Sequence, residues 1–119
     1  MQLLKKYKLT ASWHSLFFSG KRYVYITGCD SGFGRIAVEL FDKENVGVFA
    51  GVFLESSIDK LKQEFGGRVI PVPLNVRSEA SVLEAARIIN EQIKRENAKL
   101  IGVVNKWVVL VCLIFEHVF

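Results

Sequence analysis

The sequence has few of the residues that build disulfide scaffolds and metal centres. Its two cysteines, Cys29 and Cys112, lie far apart, and its two histidines, His14 and His117, are isolated. Small secreted scaffolds carry several closely spaced cysteines, and zinc sites need clustered cysteine or histidine ligands. The sequence therefore predicts a reducing compartment, no disulfide framework and no metal site.

The chain also lacks an apolar run long enough to span a bilayer as a helix, which takes about 20 residues. The longest run is "WVVLVCLIF", nine residues at 107–115. We interpret it either as a buried strand or as a tail without a proper partner surface. The N-terminal apolar segment is interrupted by Ser12, His14 and Ser15. It predicts an arm packed on the domain or a weak interfacial helix.

Acidic residues are missing from the start of the chain, because the first acid is Asp30. Five of the 16 basic residues precede it, so the net charge of +4 is a feature of the N-terminal arm. A solvated arm is the simplest interpretation, and contact with a membrane surface or a nucleic acid is the alternative. Of these partners we keep the membrane surface and predict no nucleic acid.

What the chain does contain is an alternation of strand and helix patterns, with 50% hydrophobic and 24% charged residues. Pro71 and Pro73 place the third strand at an edge, and Ser56 with Asp59 has the spacing of a capping box in the second helix. The order βαβαβαβ predicts an α/β domain with a parallel sheet of about four strands and right-handed crossovers. Strands are predicted at 23–27, 46–53, 69–76 and 100–105, and helices from Phe33, over 56–67 and from Ser78.

A glycine-rich stretch, "TGCDSGFG" at residues 27–34, joins the first predicted strand to the first predicted helix. At this junction a pyrophosphate can meet free backbone N–H groups and the positive end of the helix. Gly28 permits a sharp turn, Gly32 lets the backbone approach the phosphates, and Gly34 lets the helix lie close to the strand. The position of the glycines in a βαβ unit therefore indicates a dinucleotide-binding loop.

The spacing T-G-x-x-x-G-x-G resembles that of the short-chain dehydrogenase/reductase family, and the full string resembles its retinol and 17β-hydroxysteroid dehydrogenase branch. "LNV" at 74–76 stands where the family has L-D-V, and "GVVN" at 102–105 stands where it has G-x-V-N-N-A-G. The resemblance implies the N-terminal half of a Rossmann NAD(P)-binding domain over residues 22–105. It further implies strand order 3-2-1-4 with helices on both faces of the sheet. A basic and aromatic arm, 1–21, precedes it, and an apolar tail, 106–119, unlike the family, follows it as a candidate extra strand.

The resemblance also implies which residues contact the dinucleotide. Asn75 stands where an aspartate usually accepts a hydrogen bond from the adenine amino group, and its amide oxygen can still accept. Glu55 is interpreted as a solvated loop acid rather than a ribose ligand, and no arginine follows the second strand to receive a 2′-phosphate. The cofactor is therefore NAD or NADP, with a slight preference for NAD. The implied cofactor-binding residues are Thr27, Gly28, Ser31, Gly32, Phe33, Gly34, Asn75, Val76 and Asn105.

The sequence lacks the catalytic residues that the family uses. These are a serine and a tyrosine with a lysine four residues later, which brings a phenol of pKa about 10 into use near neutral pH. None of the three tyrosines, Tyr7, Tyr23 and Tyr25, has a lysine four residues later, and all three precede the glycine loop. We expect Asp30 to cap the turn and not to substitute for them. The prediction is a truncated dehydrogenase that keeps the dinucleotide loop and is not active alone.

Two alternatives remain open from the sequence. The chain is an interaction module that pairs through its exposed sheet edge with a full-length dehydrogenase, or it is a non-functional splice or read-through product. Lys106 and Trp107 replace the residues that follow Asn105 in the family motif, which favours an unrelated origin for the tail. The expected location is intracellular, either cytoplasmic or peripheral to the endoplasmic reticulum membrane.

Overall fold

The computed structural model describes residues 20–105 and the backbone of residues 110–113. Most of the predicted N-terminal arm and most of the apolar tail therefore lie outside the described residues. Helices and strands alternate as the sequence pattern predicts. The elements are β1 (Arg22–Ile26), α1 (Gly32–Lys43), β2 (Gly47–Val52), α2 (Glu55–Glu64), β3 (Val69–Pro73), α3 (Glu79–Glu96), β4 (Lys99–Asn105) and β5 (Leu110–Leu113).

The strands form one sheet in the order β3-β2-β1-β4-β5, and β1 to β4 are parallel. This confirms the α/β Rossmann-type fold and the order 3-2-1-4. The proline-containing β3 lies at the edge, where a missing N–H donor costs no ladder bond. At the opposite edge β5 pairs antiparallel with β4, with Val103 opposite Cys112. The short connection, 106–109, suits an antiparallel pair because a parallel neighbour needs a longer crossover.

Each face of the sheet packs against helices and has its own apolar core. On one face α1 and α2 cover a cluster that includes Val24, Val38 and Leu61. On the other face α3 covers a cluster that includes Tyr23 and Phe49, whose ring centroids are 4.5 Å apart. The twelve-residue α1 and eighteen-residue α3 thus enclose the strands between them. Helices on both faces, as expected, leave the strand ends as the accessible part of the sheet.

The predicted start of α3 is confirmed, whereas the predicted start of α2 is wrong. The Ser78 side chain accepts a hydrogen bond from the backbone N–H of Ser81 at 3.2 Å, a standard N-cap. By contrast, α2 begins at Glu55, and its N-cap residue, Leu54, provides no side-chain hydrogen bond. The capping box expected from Ser56 and Asp59 is therefore replaced by another contact, described below.

A buried tyrosine joins the start of β1 to the end of α3. The Tyr23 hydroxyl donates to Glu96 Oε2 at 2.6 Å, and the Lys21 ammonium forms an ion pair with the same carboxylate. Burial, followed by the hydrogen bond to Glu96, raises the pKa of Tyr23 to about 12. This group lies at the amino end of β1 and so at the opposite end of that strand from the glycine loop.

Membrane-spanning helices are not found in the described part of the chain: none of its helices is both long and apolar enough.

Candidate functional site

The loops after β1, β2 and β3 meet at the carboxyl ends of the parallel strands and enclose a cleft of about 580 Å³. Ligands of open α/β sheets bind at this end of the strands, because the loops there diverge and the helix N-termini point toward it. The cleft is lined by Gly28 and Asp30 from the first loop, Gly51 from the end of β2, Phe53 and Leu54 from the second loop, and Leu74, Asn75, Val76 and Arg77 from the third.

The glycine loop uses its glycines for backbone geometry and for space. Gly28 and Gly32 have φ values of 67° and 63°, in the left-handed region that favours glycine. A Cβ on Gly34 would lie 2.3 Å from the carbonyl oxygen of Gly28, so a side chain there would push α1 off the loop. A Cβ on Gly32 would meet no atom within 4 Å. The loop is therefore closely packed at Gly34 and open at Gly32.

The N-terminus of α1 provides anion-binding potential next to that open space. The first N–H groups of a helix lack intrahelical partners. Ser31 occupies the N-cap position, but its side chain makes no capping bond, and the first turn contains no acidic residue. Phe33, in this turn, is more than half exposed. A positive helix end without a compensating carboxylate fits a phosphate group.

Asp30 connects the glycine loop to the loop after β2. Its carboxylate accepts hydrogen bonds from the backbone N–H groups of Phe53 and Leu54, both at 3.0 Å, and from the Ser57 hydroxyl at 2.8 Å. Burial raises the pKa of Asp30, but these three hydrogen bonds outweigh it and hold the pKa below its ordinary value. The acid from the neighbouring loop thus caps the start of α2, in place of the predicted capping box.

Hydrogen bonds also fix the loop after β3. The amide oxygen of Asn75 accepts from the backbone N–H of Arg77 at 3.1 Å, and the Asn75 N–H donates to Ser81 Oγ at 2.9 Å. The Asn75 carbonyl accepts from the N–H of Ser78 at 3.0 Å. Since an amide oxygen has two lone pairs, Asn75 retains one for a ligand. Val76 is partly exposed and lines the cleft beside it.

Arg77 is the residue of this cleft that sequence reasoning missed. The sequence offered no arginine directly after β2, yet Arg77 shares the cleft with Gly51 and Phe53. The physical reason is the parallel pairing of β2 and β3, in which Val52 is opposite Pro73. That pairing places the two following loops side by side. The strand order 3-2-1-4 expected from the sequence already placed β3 beside β2, and so could have identified Arg77. Glu55 is exposed in the first turn of α2 and does not line the cleft.

The remaining predicted residues meet next to the glycine loop. Thr27 follows β1, and its hydroxyl donates to Asn105 Oδ1 at the end of β4, at 3.2 Å. The Thr27 N–H also donates to the carbonyl of Val104 at 2.9 Å. Tyr23 and Tyr25 are buried in the core and do not line the cleft, and Tyr7 lies outside the described residues. Over the described ranges, no cluster of histidine, cysteine and acidic residues is arranged to hold a metal ion.

Comparison with known proteins agrees with this fold and loop. The chain is 42% identical over 94 residues to a 3beta-hydroxysteroid dehydrogenase of Caenorhabditis elegans, covering 73% of this chain and 24% of that protein. It is 36% identical over 95 residues to dehydrogenase/reductase SDR family member 9 of Bos taurus, covering 72% and 30%. To human retinol dehydrogenase 16 it is 34% identical over 84 residues, covering 71% and 26%. Over the matched residues, the chain belongs to the short-chain dehydrogenase/reductase family.

A solved structure supports the same family. The chain is similar to the 3-hydroxyacyl-CoA dehydrogenase type-2 of Mycobacterium avium, with a TM-score of 0.57 and 27% identity, covering 71% of this chain and 31% of that one. A scan against protein-family models gave no match. The short-chain dehydrogenase matches include retinol and steroid dehydrogenases, in agreement with the branch that "TGCDSGFG" resembles. The chain spans about a quarter of the length of these relatives.

Proposed function

We propose that the chain binds a nicotinamide dinucleotide, with the diphosphate on the glycine loop and the adenosine in the adjoining cleft. The observation that carries this proposal is the glycine loop, left-handed at Gly28 and Gly32, tightly packed at Gly34 and continuous with the cleft. Membership in a dehydrogenase family supports the same ligand. When bound, a nicotinamide supplies hydride transfer. The proposed contacts are Thr27, Gly28, Ser31, Gly32, Phe33, Gly34, Asn75, Val76 and Asn105.

The chain's own residues then bind and orient the dinucleotide without completing a reaction. The Asp30 bridge fixes the spacing of the first two loops, and the Asn75 hydrogen bonds fix the third. No tyrosine of the sequence precedes a lysine by four residues, so the phenol–ammonium pair that the family's proton transfer needs is not supplied. We therefore propose that the given residues bind the cofactor, as in a dehydrogenase of this family, and do not turn over substrate alone. Retinol and steroid are the substrates named for its relatives. An intracellular location, cytoplasmic or peripheral to the endoplasmic reticulum membrane, completes this proposal.

The first prediction tests the glycine loop by substitution. Gly32→Trp should abolish dinucleotide binding, because it fills the open space beside the N-terminus of α1 and disfavours the positive φ. Titration of the full chain with NADH and NADPH, followed by fluorescence or calorimetry, measures the loss. The matched control is Gly66→Trp, since a Cβ on Gly66 also meets no atom within 4 Å but lies outside the cleft lining. A folded wild-type chain that binds neither nucleotide would overturn the proposal.

A second candidate function is an interaction module, and one observation favours it. Phe33, Ile36 and Leu40 follow each other at spacings of three and four residues along α1, which places them on one face. They are 54%, 56% and 58% exposed. Apolar side chains contiguous on a surface mark contacts with other proteins. A full-length dehydrogenase that covers this face of α1 is the proposed partner. The edge of β4, through which the sequence predicted such pairing, is occupied by β5.

A further inference from the structure

The charged groups of the cleft have unequal freedom to bind a ligand. Asp30 and Arg77 are the charged side chains among its lining residues. The Asp30 carboxylate is held against the loop after β2 by two backbone N–H groups and the Ser57 hydroxyl. It therefore stabilises the protein and is not presented to a ribose hydroxyl.

The positions directly after β2 present no replacement carboxylate. Phe53 and Leu54 stand there, 67% and 52% exposed. Selection of NAD in Rossmann folds depends on an acidic side chain that accepts from the ribose 2′-OH near this point. The cleft offers apolar surface where that acceptor would be needed, so its lining does not favour an unphosphorylated ribose.

The backbone of Arg77 is fixed by a hydrogen bond, whereas its guanidinium is available to a ligand. Its backbone N–H is held by the Asn75 amide oxygen, which fixes where the side chain leaves the loop. Within residues 20–105 its guanidinium makes no ion pair or hydrogen bond, whereas Arg35, Arg68 and Arg87 each pair with an acidic residue. A guanidinium presents several donors in a planar fork that matches the oxygens of a phosphate.

From these observations we infer that Arg77 is a specificity-determining residue that selects a dinucleotide carrying a 2′-phosphate, NADP(H), over NAD(H). This inference rests on the proposed function, dinucleotide binding in this cleft. It also reverses the slight preference for NAD that followed from the absence of an arginine after β2 in the sequence, because Arg77 reaches the same cleft from the loop after β3.

The test compares the two nucleotides on wild-type chain and on Arg77→Ala. Wild-type chain should bind NADPH more tightly than NADH. Arg77→Ala should weaken NADPH binding by about tenfold or more, the size of a charge-assisted contact to phosphate, and leave NADH binding nearly unchanged. Calorimetric titration with NADPH and NADH, and with 2′,5′-ADP and 5′-AMP as adenosine probes, measures both. Arg77→Lys should restore part of the NADPH affinity, since it keeps the charge but not the fork.

The control variant is Arg95→Ala, which removes another exposed arginine from the end of α3 and should change neither affinity. Equal losses for NADPH and NADH in Arg77→Ala would overturn the inference, because they would place Arg77 on a part that both nucleotides share. Tighter binding of NADH to wild-type chain would also overturn it and leave the proposed function standing. Absence of binding by either nucleotide would refute the proposed function itself.

Discussion

At the scale of single residues, the Tyr23 hydroxyl shows how a contact between residues distant in sequence makes the stability of the fold depend on pH. Tyr23 and Glu96 are hydrogen-bonded, and Lys21 adds its charge to the same carboxylate. The pKa of Tyr23 is raised to about 12 by burial and by this bond, from about 10 when unfolded. The protonated phenol therefore contributes stability below pH about 10, and the contribution is lost as the pH rises through about 12.

We predict that Tyr23→Phe lowers the free energy of unfolding by about 1.5–3 kcal/mol at neutral pH, the net value of a hydrogen bond to a charged acceptor. The wild-type chain should lose stability between pH about 10 and 12, and the variant should lose less over the same range. Urea unfolding at pH 8 and pH 11 measures the difference. Parallel curves for both proteins would contradict the assignment.

The sequence predicted that Tyr23 lies in a strand and is not catalytic, but it did not predict its hydrogen-bond partner. The β-branched and aromatic pattern placed Tyr23 in a strand, and the missing lysine four residues later excluded it from catalysis. Glu96 as its partner was beyond reach, because 73 residues separate the two. That contact depends on α3 returning the chain to the start of β1. For the same reason the ion pair of Lys21 with Glu96 could not be read from the basic N-terminal arm.

At the scale of secondary-structure elements, Asp30 determines how α2 begins. The acid belongs to the glycine loop, yet its acceptors hold the backbone that enters the next helix. Its pKa lies below the ordinary value, so the ionised carboxylate contributes stability above pH about 4, and the contribution is lost as the pH falls through the lower folded pKa. The loop that we assign to phosphate binding therefore also positions the loop that lines the adenosine cleft.

Asp30→Ala should lower the free energy of unfolding by about 1–2 kcal/mol, because two backbone donors and one hydroxyl lose their acceptor. It should also weaken dinucleotide binding and speed amide hydrogen exchange at Phe53 and Leu54. Asp59→Ala is the matched control, since it removes an exposed acid of α2 that makes no capping bond and should cost less than about 0.5 kcal/mol. Equal effects of the two substitutions would instead favour the capping box that the sequence predicted.

Features of the secondary-structure elements were predicted correctly where the sequence patterns that define them are local. The Ser78 cap, the glycine turn and the edge position of the third strand follow from short stretches of sequence, and the structure has all three. The start of α2 was predicted wrongly because Asp30, 27 residues before Ser57, provides a competing acceptor. The position of Arg77 required combining the strand order with the loop after β3.

At the scale of the whole molecule, α1 leaves an apolar row of Phe33, Ile36 and Leu40 accessible. The sheet beneath it is covered by the buried side of the same helix, through Ala37 and Val38. Burial of the row against another protein would remove apolar surface from water at about 25 cal/mol per Å². The row is therefore the first place to look for a partner chain.

We predict that the wild-type chain associates with itself or with the full-length 3beta-hydroxysteroid dehydrogenase of Caenorhabditis elegans, and that Ile36→Lys abolishes the association. A charge in the middle of an apolar contact cannot be buried without a partner. Sedimentation velocity of each chain, alone and mixed, measures it. Leu83→Lys is the control, since Leu83 is an exposed apolar residue of α3 outside this row. A wild-type chain that stays monomeric in both experiments would exclude the interaction module.

The glycine loop carries a thiol between Gly28 and Asp30. Cys29 is fully buried, and its thiol donates to the carbonyl of Ile26 at 3.2 Å. A water-soluble thiol reagent reaches this sulfur only when the loop opens or the domain unfolds. In a Cys112→Ser background, the rate of Cys29 modification measures how often the loop opens or the domain unfolds. Ligands can then be compared by how far each one slows the modification of Cys29, with no label added to the protein.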